Sequence, residues 1–125
     1  MSKLSRKEQK ELDVCWKNCL EMWKDIAYII KRFGNMPIAG LKAKWLNKHG
    51  FTHISDNCLF CDWSIKHGGL HISTICFRCP GRLVDGTFVC TAEKTHFYNH
   101  PSEFYRLLVR LNKKRIANRQ GDKSE

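Results

Sequence analysis

The chain has 125 residues and a mass of 14.7 kDa, with 42% apolar and 27% charged residues. That is room for one folded domain, and it excludes a disordered chain, a collagen-like repeat and a multi-domain enzyme. Residues 1–12 open on basic residues with no apolar stretch behind them, and no apolar run approaches the roughly 18 residues a membrane span needs, so a cytoplasmic protein without a membrane partner is expected. The net charge is +10, and residues 106–125 carry seven bases against two acids, half of the whole excess. A basic end attracts polyanions, because each phosphate it neutralises releases a counterion.

Residues 5–33 read as one long helix. Leu12, Trp16, Cys19, Trp23, Ile26, Ile30 and Phe33 recur at alternating steps of four and three, a continuous apolar stripe, before Gly34 and Asn35 stop the helix and Pro37 follows. At 1.5 Å per residue this helix is about 40 Å long. The stripe either packs on later helices of the chain or, through Trp16, Trp23 and Ile30, meets a protein partner or a second copy of the chain as a homodimer. A second helix is predicted over residues 37–49, with Ile38, Leu41 and Trp45 on one face and Gly50 at its end.

The middle reads differently. Residues 51–56 alternate weakly, residues 70–75 look extended, and Asp85-Gly86 between Leu83-Val84 and Phe88-Val89 predicts a β-hairpin. A last helix begins at Pro101, with Phe104, Leu107, Leu108 and Leu111 on its apolar face. The expected fold class is therefore α+β, a single domain over residues 1–125. It comprises a long helix (1–35), a zinc-ribbon-like centre with a hairpin (36–100), a basic helix (101–118) and a flexible tail (119–125).

Seven cysteines, an odd number, cannot all pair as internal disulfides, and in a reducing compartment clustered cysteines hold metal. Cys58-Leu59-Phe60-Cys61 and Cys76-Phe77-Arg78-Cys79 form two C-x-x-C knuckles. Each aims two sulfurs at one point, and together they suit tetrahedral Zn²⁺. Four thiolates leave no position open for water, so such a metal holds the fold and does not catalyse. An iron–sulfur cluster or a redox dithiol pair are the alternatives. Cys90 reads either as a small apolar residue packed in the hairpin or as a substitute ligand. Cys15 and Cys19 read as core, with a second metal site as the alternative.

Arg78, Arg82, Arg106, Arg110, Lys113, Lys114 and Arg115 are the candidate phosphate contacts, and Trp63 is a candidate stacking platform for a base. His71, Asn99 and His100 could be read as the centre of a metal-dependent nuclease, but no Asp-His dipeptide accompanies them. No P-loop, dinucleotide fingerprint or nucleophile elbow is present, so an enzyme is the weaker expectation.

Trp45, the knuckles Cys58, Cys61, Cys76 and Cys79 with Pro80, then Cys90 and Tyr105 on a basic helix resemble the small zinc-binding proteins encoded by bacteriophages. The likeness spans residues 40–115 and implies zinc and a phage-like origin in a host cytoplasm. Proteins of that kind commonly bind a host protein or nucleic acid. The expected function is a non-catalytic, zinc-stabilised protein that binds nucleic acid or a nucleic-acid-handling complex. The alternative is an inhibitor or adaptor that grips a host protein through the N-terminal helix.

Overall fold

The computed structural model describes residues 5–34, 36–51, 58–67, 79–90, 95–97 and 99–123, with side chains through residue 118. Every regular element among them is a helix: α1 (Arg6–Phe33), α2 (Ile38–Lys48), α3 (Leu59–Lys66), α4 (Pro80–Val84) and α5 (Pro101–Lys123). The α+β expectation is corrected to an all-helical fold, with no strand among the described residues.

α1 starts on a capping box, in which Ser5 Oγ accepts from Glu8 N–H and Glu8 Oε1 accepts from Ser5 N–H, both at 3.1 Å. It ends at Gly34, whose φ of 86° is open to glycine and whose N–H donates to the Ile30 carbonyl. The buried face is wider than the expected stripe, because Cys15 and Met22 join Leu12, Trp16, Cys19, Trp23 and Ile26. That width marks a helix packed on several neighbours. α5, α3 and α2 all pack against α1, and α4 bridges α3 and α5.

Specific bonds fix these neighbours. Trp45 Nε1 on α2 donates to Asp25 Oδ2 on α1 at 2.8 Å. Lys42 is buried and holds its ammonium 4.8 Å from the centre of the Phe97 ring and 5.9 Å from that of Trp23, a compensated burial of charge. His67 at the end of α3 stacks on Trp63 at 4.2 Å and points its two ring nitrogens at Glu8 (3.4 Å) and Glu11 (2.9 Å), tying α3 to the first turns of α1.

The hairpin expectation fails: its arms are not strands, and Asp85, at a φ of −139°, does not take the positive φ that a tight Asp-Gly hairpin turn requires. Pro80 occupies the first turn of α4, and its fixed φ favours helix there, so Leu83 and Val84 are helical. Two residues on each side are too few to sustain a ladder against that start. A different turn forms one residue later: Asp85 Oδ1 accepts from Thr87 N–H (3.0 Å) and Thr87 Oγ1 (2.7 Å), while Phe88 N–H donates to the Asp85 carbonyl. The two Thr87 bonds hold the Asp85 carboxyl below its ordinary range. The C-terminal helix also runs past Asn118 to Lys123, through residues expected to form the tail. No described helix is long and apolar enough to cross a membrane.

Candidate metal centre and basic face

Three of the four candidate ligands face one cavity. Cys58 is the N-cap of α3, Cys61 lies in its first turn, and Cys79 is the N-cap of α4. All three line one cavity of about 370 Å³ between α1, α3 and α4, and Cys90 lines it too. Cys19, Met22 and Trp23 supply its apolar wall from α1. Cys76 and Arg78 lie outside the described residues, as does His71. Among the described residues, no three ligating side chains already stand close enough to hold an ion, and no disulfide links the cysteines.

The chemistry of the sulfurs is uneven. Cys58 Sγ accepts from the backbone N–H of Cys61 at 3.5 Å, the local bond of a metal knuckle. The Cys61 side chain, donating to Cys58, brings the Cys58 thiol down to about 6, against the opposing pull of burial. Cys61 is raised in turn, because it keeps the shared proton. Burial pushes Cys79 up to about 12 and raises Cys15 and Cys19 as well. Cys15 donates its thiol hydrogen to the Leu59 carbonyl at 3.4 Å, so it acts as a packed donor between α1 and α3. The donor set fits zinc in type: a knuckle with its N–H bond to sulfur, and further thiols on the same wall.

Cys90 does not pack in a hairpin core; it is exposed at the cavity rim. Arg82 also lines the cavity and donates through Nε and Nη2 to the Gly86 carbonyl, bracing the turn. Trp63 is only 5% exposed, which leaves little of its ring to stack on a base, and among the described residues its indole nitrogen has no hydrogen-bond partner. The flanking Asp62 and Ser64 suggest a surface in sequence, yet both are buried with it. Trp16 and Trp23 are likewise core, at 0% and 4% exposure, and Ile30 is half-buried against the edge of the core. The chain's own helices cover the stripe at Trp16 and Trp23, while its far end, Phe33, is 67% exposed.

The bases of α5 divide. Arg106, Arg110, Lys113 and Lys114 are exposed. Arg115 is not part of that face: it pairs with Asp13, donates to Asn112 Oδ1 at 2.9 and 3.2 Å, and lies 5.4 Å from the centre of the Trp16 ring. Its side chain is 11% exposed and fastens α5 to α1. Asn99 and His100 are exposed just before α5, where the His100 carbonyl accepts from Phe104 N–H; neither lines the cysteine cavity. Sequence reasoning missed Lys42, whose burial depends on rings contributed by α1 and by residue 97, and missed the pairing of His67 with Glu8 and Glu11.

No protein family matches this sequence, and neither a curated protein nor a solved structure matches it.

Proposed function

We propose that the protein is a non-catalytic, zinc-stabilised binding protein that docks on nucleic acid through the outer face of α5. The observation that carries this reading is the one-sided basic surface. Arg106, Arg110, Lys113 and Lys114 are exposed, while Phe104, Leu108 and Leu111 on the same helix are buried. No acidic residue occurs between residues 104 and 118, and the helix's nearest carboxylate, Glu103, lies 4.0 Å from Arg106 alone of the four. A helix anchored by one face and lined with cations on the other presents a fixed row of charge to phosphates at little entropic cost. The zinc, held by thiolates from Cys58, Cys61 and Cys79 with Cys76 as the fourth ligand read from sequence, would secure α3 and α4 and supply no catalysis. The resemblance to small phage-encoded zinc proteins is consistent with a binding role.

The test is a salt titration of binding to short DNA and RNA duplexes and single strands. Replacing Arg106, Arg110, Lys113 and Lys114 together by Gln is expected to weaken binding to every sequence alike. It should also flatten the log–log salt dependence by about three to four units. Binding that ignores both salt and those four substitutions would overturn the reading.

A further inference from the structure

The exposed thiol at the cavity rim has a structural reason to be where it is. Cys79 and Cys90 stand at the two ends of a closed loop made by α4 and the return from the Asp85 turn. Three contacts close that loop. Phe88 is buried against Gly81 so tightly that a Cβ there would meet its ring at 2.6 Å. Arg82 braces the turn through the Gly86 carbonyl. The Cys90 carbonyl accepts from Phe97 N–H at 3.2 Å, and Phe97 in turn packs edge-on to Trp23 and Phe104. The backbone of Cys90 is thus pinned to the core while its side chain looks onto the wall that Cys58, Cys61 and Cys79 share.

We propose that Cys90 is a metal ligand and takes the fourth position, which the knuckle spacing alone gives to Cys76, in a four-thiolate zinc site with Cys58, Cys61 and Cys79. This deepens the zinc reading above and rests on it. The other described cysteines are committed elsewhere. Cys15 donates to the Leu59 carbonyl, and Cys19 is 2% exposed on the buried face of α1. Zinc requires four donors at about 2.3 Å, so the ion draws the four sulfurs in from the cavity wall. Each thiol that joins gives its proton to solvent, and the Zn²⁺ charge is met by four thiolates. The Asp85 turn then has a task beyond reversing the chain: it returns Cys90 to the side of Cys79.

The experiment uses the full chain, reduced, with Co²⁺ as an optical probe and Zn²⁺ as competitor. The wild type is expected to bind one ion with intense thiolate-to-cobalt absorption. Cys90→Ser should keep its helical circular dichroism, bind at least about tenfold more weakly, and lose about a quarter of that absorption per bound ion, one thiolate of four. Cys90→His, which restores a donor, should recover the affinity with a shifted spectrum. If Cys90→Ser keeps the wild-type absorption per ion, Cys90 is not a ligand and the inference fails while the zinc reading stands. If the wild type binds neither ion, both fail.

Discussion

Where α1 lies against α5, long helices bury large side chains along their length. Leu12, Trp16, Cys19, Trp23 and Ile26 enter the core from one, and Phe104, Leu108 and Leu111 from the other. The Trp23 and Phe104 rings meet edge to face at 4.9 Å, and Arg115 closes the seam onto Asp13 and Trp16. On the cysteine-bearing side, α3 has eight residues and α4 five, lengths at which an isolated helix does not persist in water. That side relies on anchors: Phe60 and Trp63 in the core, His67 between two carboxylates, and Phe88 pressed on Gly81. One region is held by continuous packing and the other by a few fixed points. A small loss should therefore open the second long before the first.

The packed seam is broken most directly at Trp16. Trp16→Ala is expected to cost about 3–5 kcal/mol in denaturant unfolding and to loosen the whole molecule. A smaller and more local effect is expected from Gly81→Ala, where the new methyl collides with the Phe88 ring. Overpacking of this kind costs about 1–3 kcal/mol. Amide exchange should rise around α4 and the Asp85 turn while α1 and α5 stay protected. Equal loosening of all helices would mean the two regions form a single cooperative unit.

The smallest effect concerns the start of α1. The backbone N–H and hydroxyl of Ser5 hold the Glu8 carboxyl below its ordinary value of 4.5, and His67 adds to this. A depressed carboxyl stabilises the fold above that value, and the contribution is lost as pH falls through the lower folded value. Wild type should therefore melt slightly above Glu8→Gln at neutral pH, and the two should converge as pH falls through the lowered folded value. A gap that stays constant with pH would remove the capping carboxylate from the account.

The seam was largely legible in the sequence and the anchors were not. Leu12 to Ile26 and Phe104 to Leu111 announce their helices because burial on one face imposes a 3.6-residue period. Around Asp85 a chain reversal was readable but not its type or position, and the flanking pairs Leu83-Val84 and Phe88-Val89 are too short to show a period. Pro80 decided the first pair for helix. Trp63 misled because its neighbours Asp62 and Ser64 look like surface residues, and their burial is set by α1. Arg115 looked like one base among several, since its partner Asp13 lies 102 positions away. The knuckle spacing brought Cys58 and Cys61 together by local geometry and pointed to Cys79. Cys90 gave no such signal, because its place depends on how Phe88 and Phe97 pack.

That 102-residue separation between Asp13 and Arg115 also sets a schedule. A ribosome adding about 5–20 residues per second needs roughly 5–20 seconds to travel from one to the other. Throughout that interval Trp16, Cys19 and Trp23 emerge without the helix that will cover them. The newborn chain therefore passes through a period in which its largest apolar surface is open to other proteins, and holdase chaperones that recognise such stripes would find it then and not afterwards.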